Sequence, residues 1–342
     1  MAIFQIVSPD IAVDIGTNNT RIYVKDRGIV VNEPSVLVMR GEGSKNIAAI
    51  GDGADELVGR SGGKFRVIHP LRDGVIVDYE MAQTMIHFFV RKAIGTHHLV
   101  RPRVVVTMPS DVNKVERRAV INALEKIGAR SIYTVEQAFA AALGTGLPVY
   151  EPVGNLVVDI GAGTTEVALV SMGGIVISHS IRVAGNKIDE AISGYLKKQH
   201  AILVTDRVAE QLKIDMPDVR KDSKIEHIAV VRGRDIATGM PLTVDVNMVK
   251  VSEAIQDILK EILGAIKWVL SRIPPELAAD ILQNGIYLTG GSAALPGLDA
   301  MIATEFGVPV SVARDAGECT TLGAGYMADH YDMLNNDEKA KS

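Results

Sequence analysis

Two stretches of this sequence, Asp14-Ile-Gly-Thr-Asn-Asn-Thr20 and Asp159-Ile-Gly-Ala-Gly-Thr-Thr165, repeat one pattern and decide the fold class. In each stretch an aspartate follows an apolar run, a polar glycine-containing segment comes next, and a threonine stands six residues after the aspartate. The pattern predicts a strand, a tight turn and a return strand, over 11–15 and 21–24 and again over 155–160 and 166–170. The aspartates are 145 residues apart (159 − 14), so the repeat predicts two similar halves.

The chemistry of these turns suits a polyphosphate. Glycine lets the backbone approach closely and present N–H groups to phosphate oxygens, and threonine and asparagine add neutral donors. An aspartate alone would repel phosphate, but it can hold the water shell of Mg²⁺. Each stretch could also be only a tight hairpin; two copies in matched frames favour phosphate binding. We expect a facing pair of turns, one from each half, to clamp the phosphates across a cleft.

A third glycine-rich element, 285–293, ends another apolar strand. Its diglycine, Gly290-Gly291, would let a flat base or a ribose lie on the backbone. A Rossmann site is the obvious competitor, but no G-x-G-x-x-G follows an early strand, and no Walker A motif is present.

Composition limits the alternatives. A chain of 342 residues predicts two domains, and 47% apolar but only 4% aromatic residues predict a core of Val, Ile, Leu and Ala, typical of buried parallel strands. A net charge of −5 with scattered basic residues gives nucleic-acid binding no support. The single cysteine, Cys319, fits a reducing cytosol and is interpreted as a buried filler. No signal peptide or membrane span is predicted.

Helical periodicity supplies the remaining elements. Helices are predicted over 81–93, from 109–111 to Gly128, and over 251–273, where Pro274-Pro275 stops the pattern. The second helix is expected to bury a face made of Val112, Val115, Ala119, Ala123 and Ile127. The long third stripe favours a core face over a filament contact. Residues 31–66 and 205–245 suit small subdomains.

Further motifs carry a family resemblance: Gly28-Ile-Val-Val-Asn-Glu-Pro-Ser35, Pro70-Leu-Arg-Asp-Gly-Val75, Phe139-Ala-Ala-Ala142, Arg182-Val-Ala-Gly185 and Pro275-Glu-Leu277. With the two turns and Leu288-Thr-Gly-Gly-Ser292, the chain resembles the actin, chaperone-ATPase and sugar-kinase superfamily. In finer detail it resembles the MreB family of bacterial actins, from about Asp10 to Ala328.

The resemblance implies an α/β, actin-like fold. It has two similar domains, each with a mixed sheet flanked by helices, two smaller subdomains, and a nucleotide in the central cleft. The implied boundaries are 1–30, 67–143 and 315–342 for domain IA, 31–66 for IB, 144–184 and 246–314 for IIA, and 185–245 for IIB.

The resemblance also implies ATP or ADP and Mg²⁺ as ligands. Asp14 and Asp159 would organise the metal through water. The residues that would hold phosphates are Gly16, Thr17, Asn18, Asn19, Thr20, Gly161, Gly163, Thr164 and Thr165. Those that would contact ribose, base or adenosine are Gly185, Glu210, Lys213, Gly290, Gly291, Ser292 and Ala293.

Hydrolysis needs a group that positions water in line with the γ-phosphate. The segment Glu136-Gln137 stands where the family usually reads Glu-Glu, and glutamine can orient water but cannot accept its proton. Eukaryotic actin has glutamine at the equivalent place and hydrolyses ATP. The resemblance therefore implies slow hydrolysis, with Gln137 and Thr164 orienting the water and Glu136 beside them as a second catalytic or structural residue.

MreB proteins resemble one another in binding membrane through an apolar N-terminal segment, a short apolar loop, or both. The matching residues are Ile3, Phe4, Ile6, Val7, Leu99 and Val100; a tucked-in strand and an ordinary loop are the plainer interpretation. The resemblance implies a cytoplasmic protein at the inner face of the membrane. Its implied partners are other copies of itself in paired protofilaments, membrane lipid and cell-wall synthesis proteins.

Two other functions share this fold. A small-molecule kinase would need a carboxylate base for its acceptor hydroxyl, and Gln137 in that place disfavours it. An ATPase that does not polymerise is the other alternative. A chaperone-like ATPase would need a peptide-binding domain, for which the sequence shows no candidate.

Overall fold

The structure, a computed structural model, describes residues 9–41, 46–59, 65–95, 101–221, 225 and 227–331. The chain divides into two compact units. Unit 1 comprises Met1–Tyr150 and Glu318–Ser342, and unit 2 comprises Glu151–Gly317. Each contains a five-stranded mixed sheet flanked by helices and a smaller three-stranded sheet, as the fold class predicts. The subdomain boundaries stay a prediction.

Unit 1 carries the first repeat. Its described elements are β1 (Ile11–Ile15), β2 (Asn19–Val24), β3 (Gly28–Pro34), β4 (Leu37–Arg40), β5 (Ile47–Ile50), α1 (Asp52–Asp55), β6 (Phe65–Ile68), β7 (Leu71–Arg72), β8 (Val75–Ile76), α2 (Tyr79–Ile94), β9 (Arg103–Met108), α3 (Lys114–Lys126), β10 (Ser131–Glu136), α4 (Gln137–Gly144) and α11 (Cys319–Asp329).

The large sheet of unit 1 has the order β10-β9-β1-β2-β3. Strand β1 pairs antiparallel with β2 and parallel with β9, so the carboxyl ends of β1 and β9 reach the same edge. Alternate residues of β1 (Ile11, Val13, Ile15) pack with buried residues of α2 and α3. Helices α4 and α11 pack against the other face. A Cβ at Gly144 or Gly323 would lie 1.8 Å from the opposing helix's carbonyl oxygen, so glycine is required there.

Unit 2 carries the second repeat. Its described elements are β11 (Asn155–Ile160), β12 (Thr165–Ser171), β13 (Gly174–Ile181), α5 (Gly185–His200), β14 (Ile202–Leu203), α6 (Asp206–Ile214), β15 (Ile228–Asp235), β16 (Pro241–Asn247), α7 (Met248–Ala254), α8 (Gln256–Leu270), α9 (Pro275–Asn284), β17 (Ile286–Thr289), a 3-10 turn (Gly291–Ala294), α10 (Leu298–Phe306) and β18 (Val310–Val312).

The large sheet of unit 2 has the order β13-β12-β11-β17-β18, and β11 runs antiparallel to β12 and parallel to β17. Strands β11 and β12 are buried along their whole length, which explains their continuous Val, Leu and Ile runs. The four predicted strands of the two repeats are confirmed.

Two helix predictions are wrong in detail. The pattern over 251–273 forms two helices, α7 and α8, which meet at Ile255; its apolar stripe is nevertheless core, since Ile255, Ile262 and Ile266 are fully or almost fully buried. Helix α3 begins after Asn113, whose side chain and that of Glu116 form a capping box, rather than at 109–111. Val115 is therefore 79% exposed, and Ala123 and Leu124 are the buried residues.

Cys319 is buried at the start of α11, as interpreted from the sequence. Among the described residues, no helix is both long enough and apolar enough to cross a bilayer.

Candidate functional site

The turn between β1 and β2, residues 14–20, is called loop 1. The N–H of Gly16 donates to the carbonyl of Asn19 at 3.1 Å, which closes a tight turn. A Cβ on Gly16 would lie 2.6 Å from that carbonyl oxygen, so only glycine fits. The Ser35 hydroxyl donates to the carbonyl of Gly16 at 2.8 Å, and the Ser35 N–H donates to the carbonyl of Asn18, also at 2.8 Å. Ser35 thus braces loop 1 from behind.

Asp14 ends β1 and is only 5% exposed. Its Oδ1 accepts from the Thr107 hydroxyl at 2.7 Å, and its Oδ2 accepts from the Thr321 hydroxyl at 3.0 Å. Thr107 lies in β9, whose parallel pairing with β1 places the two side chains side by side. Both oxygens accept from neutral donors, and none of the cationic side chains that the structure describes forms an ion pair with this carboxylate.

The turn between β11 and β12, residues 159–165, is called loop 2 and repeats this geometry. The Gly161 N–H donates to the carbonyl of Thr164 at 3.0 Å, and the Ser292 hydroxyl donates to the carbonyl of Gly161 at 2.8 Å. The first N–H groups of α5 add two bonds: Gly185 donates to Gly161 at 3.2 Å, and Asn186 donates to Ala162 at 2.8 Å. The first two N–H groups of α5 therefore bond to the backbone of loop 2.

Asp159 is 8% exposed, and its Oδ1 accepts from the Thr289 hydroxyl at 3.1 Å across the parallel β11–β17 pair. Directly after Thr289, Gly290 has φ of +85°, and a Cβ there would lie 2.3 Å from the carbonyl oxygen of Ile160. The predicted adenosine turn is thus packed against the end of the strand that carries Asp159, and only glycine permits this contact.

The threonines that close the two matched patterns, Thr20 and Thr165, lie inside their turns. Thr20 and Thr165 are fully buried; the Thr20 hydroxyl lies 2.8 Å from the Ser35 hydroxyl, and the Thr165 hydroxyl donates to the carbonyl of Val183 at 2.7 Å. Their hydroxyls stabilise the turns from inside. The loop residues that remain partly open are Gly16, Thr17, Asn18, Asn19, Gly161 and Ala162. In loop 1 the Thr17 hydroxyl accepts from the Gly74 N–H at 2.9 Å.

Lys213 and Glu210 lie on α6, and only Glu210 is partly open. The Lys213 ammonium is 2.8 Å from Asp189 Oδ2 and 3.4 Å from the carbonyl of Gly185. Lys213 thus links α6 to the start of α5. Burial raises the pKa of Asp189 to about 6, and the ammonium of Lys213 opposes that shift.

The predicted catalytic pair stands at a strand-to-helix junction. Glu136 is the last residue of β10 and Gln137 the first of α4, and both are half-buried. Burial raises the pKa of the Glu136 carboxyl, while the guanidinium of Arg117 opposes the shift. In unit 2, Thr164 is 9% exposed next to the buried Gly163.

Each loop offers one oriented carboxylate, and among the described residues no group of three or more His, Cys, Asp or Glu could hold a metal. That donor set does not suit zinc or a fully protein-coordinated calcium. It fits Mg²⁺, which keeps several waters and binds through one or two carboxylates and substrate phosphates.

Four supporting residues were missed from the sequence: Ser35, Thr107, Thr321 and Asp189. Ser35 and Asp189 stand in or next to motifs that were recognised without assigning them a role. Thr107 lies near the end of β9, and the parallel pairing of β9 with β1 places it beside Asp14. The predicted membrane residues Ile3, Phe4, Ile6, Val7, Leu99 and Val100 lie outside the described residues.

Comparisons with known proteins cover nearly the whole chain. A protein-family model described as MreB/Mbl protein matches residues 8–336. The cell shape-determining protein Mbl of Bacillus subtilis (strain 168) is 42% identical over 325 residues, 95% of this chain and 97% of that protein. The cell shape-determining protein MreB of Escherichia coli (strain K12) is 41% identical over 335 residues, 96% of each chain.

Solved structures agree. MreB5 of Spiroplasma citri bound to AMPPNP superimposes with a TM-score of 0.89 at 32% identity, covering 97% of this chain and 99% of that one. The same protein bound to ADP gives 0.88 at 33% identity, covering 97% and 98%.

Proposed function

The chain belongs to the MreB/Mbl protein family, and from this premise we propose that it is an ATP-binding, filament-forming cytoskeletal protein that organises cell shape. The observation that carries nucleotide binding is the duplicated brace, in which a serine hydroxyl holds the glycine carbonyl of each loop at 2.8 Å. Two loops built alike around a buried aspartate suit the phosphates of a nucleotide. AMPPNP and ADP complexes of a relative with the same fold support this ligand class.

Mg²⁺ is the metal we propose for this nucleotide. Asp14 and Asp159 would hold its water shell, since each carboxylate is fixed by threonine hydroxyls and keeps further lone pairs. When bound, the ion supplies positive charge that neutralises the phosphates.

Slow ATP hydrolysis follows from the junction at Glu136 and Gln137. The Gln137 amide can orient water but cannot take its proton, so the chain's own contribution is positioning. Thr164 would assist from loop 2. If Gln137→Ala releases phosphate from ATP as fast as the unmodified protein does, this assignment is wrong.

Filament assembly rests on family membership, and membrane attachment on two apolar segments. The described residues next to those segments are joined: Arg103 Nε donates to Asp10 Oδ1 at 2.9 Å, and Arg103 also lies 4.7 Å from the Tyr331 ring centroid. Strands β1 and β9, which follow the two segments in the sequence, are therefore joined near their first residues. A repeated weak contact along a filament would suffice for lipid binding.

Pelleting with ATP, with ADP and without nucleotide tests the whole proposal. We expect ATP-dependent sedimentation and ATP-dependent recruitment to anionic vesicles. Leu99→Ser combined with deletion of 2–7 should abolish vesicle binding and leave sedimentation in solution intact. Sedimentation that is independent of nucleotide, or ATP-dependent phosphorylation of a small molecule, would contradict the proposal.

A further inference from the structure

Arg21 carries a guanidinium with which no described residue pairs. It follows loop 1 directly, as the third residue of β2, and is half-buried. Its Nε is buried and has no hydrogen-bond partner among the described residues, and none of them forms an ion pair with its guanidinium. A buried N–H without an acceptor is unfavourable, and a ligand that reaches this half-buried side chain would supply the acceptor.

The sheet register sets the direction of Arg21. It stands opposite Asp14 in the antiparallel β1–β2 pair, so both side chains lie on the same face. Helix α11 covers that face. Asp14 accepts from Thr321 of α11, and Tyr23, two residues after Arg21 in β2, donates to Asp329 of α11 at 2.8 Å. The two oxygens of Asp14 accept from threonine hydroxyls, and neither bonds to Arg21.

The chemistry of loop 1 identifies the kind of ligand. Between residues 14 and 21, Arg21 is the only cationic side chain, and the others offer backbone N–H groups or neutral donors. A planar guanidinium with free donors matches two oxygens of one phosphate group. In loop 2 the equivalent residue, seven after the aspartate, is Glu166, which is fully buried and accepts from the Ser180 hydroxyl at 2.5 Å. The cation therefore belongs to loop 1 alone.

We propose that Arg21 binds a phosphate group of the nucleotide and makes loop 1 the element that selects phosphorylated over unphosphorylated nucleosides. This inference rests on the proposed nucleotide binding and adds a residue that neither the repeat nor the family resemblance assigns. The phosphate oxygens supply the acceptor that Arg21 lacks among the described residues. Adenosine, which has no phosphate, does not use this contact.

The test compares Arg21→Gln and Arg21→Lys with the unmodified protein and with Arg118→Gln, which removes an exposed charge of the same sign from α3. Binding of ATP, ADP and adenosine is measured below the assembly concentration. Arg21→Gln should lower ATP and ADP affinity by about 10- to 100-fold and change adenosine affinity by less than about twofold. Arg21→Lys should fall between, because an ammonium keeps the charge but not the fork. Arg118→Gln should bind as the unmodified protein does.

Two results would overturn the proposed phosphate contact of Arg21. Equal ATP affinity in Arg21→Gln and the unmodified protein overturns the inference, and so does an equal loss for adenosine, which would mean a structural role. The unfolding temperature of nucleotide-free Arg21→Gln should be close to that of the unmodified protein, because Arg21 makes no side-chain hydrogen bond or ion pair with the described residues. If Arg21→Gln does not fold, Arg21→Lys decides by the same ATP-to-adenosine ratio. Failure of the unmodified protein to bind ATP would refute the proposed function itself.

Discussion

Loop 1 and loop 2 share a backbone design. In both, a buried aspartate accepts a threonine hydroxyl from the next parallel strand, Thr107 or Thr289. Both close with a glycine N–H bonded to the carbonyl three residues on, and both have that glycine's carbonyl held by a serine hydroxyl at 2.8 Å. The serines come from unrelated places, one after β3 and one after β17, so the brace is a property of the turn and not of one chain segment.

The surroundings of the two loops differ. Loop 2 receives two further backbone donors from the start of α5, which Lys213 and Asp189 tie to α6. Among the described residues, no helix N-terminus donates to loop 1; there the Thr17 hydroxyl accepts from the Gly74 N–H. The residue seven after the aspartate is Arg21 in loop 1 and Glu166 in loop 2. The two loops therefore share a turn shape but carry opposite charges at this position, and the proposed phosphate contact of Arg21 has no counterpart in loop 2.

The aspartates give the largest expected effect on binding. Asp14→Asn and Asp159→Asn should each lower Mg²⁺-dependent ATP affinity by about 100-fold, because each removes an anionic anchor for the metal's water shell. Titrations with Mg²⁺ and with EDTA measure this. Chelation should weaken ATP binding by the unmodified protein and have little further effect on either variant. If ATP binding by a variant stays as sensitive to EDTA as that of the unmodified protein, the substituted aspartate does not help to hold the metal.

Replacing the two loop glycines, Gly16 and Gly161, by alanine should lower the free energy of unfolding by different amounts. An alanine Cβ at Gly16 meets the Asn19 carbonyl oxygen at 2.6 Å, whereas at Gly161 the nearest atom is 3.4 Å away. Gly16→Ala should therefore cost about 2 to 3 kcal/mol of unfolding free energy, and Gly161→Ala less than about 0.5 kcal/mol. Urea unfolding of both variants is the measurement. Equal costs would mean that the two turns are not packed as differently as this contact indicates.

The raised pKa of Asp189, which helps to hold α5 beside loop 2, should make the free energy of unfolding depend on pH. Its folded pKa of about 6 lies above the ordinary aspartate pKa of 3.8, so between these pH values the folded chain holds a proton that the unfolded chain has released. Lowering the pH from 7 to 4 should thus stabilise the unmodified protein relative to Asp189→Asn, on the order of 1 to 3 kcal/mol. Parallel unfolding curves across that range measure the difference. A constant difference between the two proteins would refute the raised pKa.

Removing the two serine hydroxyls that brace the loops should give the smallest difference in stability between loop 1 and loop 2. Ser35→Ala should cost about 1 to 2 kcal/mol, because Ser35 also contacts Thr20 and its loss leaves a carbonyl and a buried hydroxyl unpaired. Ser292→Ala should cost about 0.5 to 1 kcal/mol, because the Gly161 carbonyl still accepts from Gly185. Thermal unfolding of the two variants compares them. The reverse order would show that α5 does not support loop 2.

Much of the site was predictable because its signals are local. The two turns, their strands and the diglycine at 290–291 are each defined within about ten residues of sequence. Helix α3 was misjudged because Pro109-Ser110-Asp111 resembles a cap, while Asn113 and Glu116 form the real one. The break at Ile255 was missed because an apolar stripe continues across it, and periodicity reports which residues are buried, not whether one helix carries them.

The sequence by itself determined the repeat, the strand-turn-strand units, the fold class and the residue types that suit phosphate and Mg²⁺. Those follow from hydrophobic periodicity and glycine content, which act between near neighbours. Only the tertiary structure decided which hydroxyls face inward and that Ser35 and Ser292 play one role. It also decided that Arg21 has no partner within the described part of the chain, whereas Glu166 bonds to Ser180. The reason is that these contacts join residues 14 to 307 positions apart, and pairing at that distance depends on how strands and helices pack.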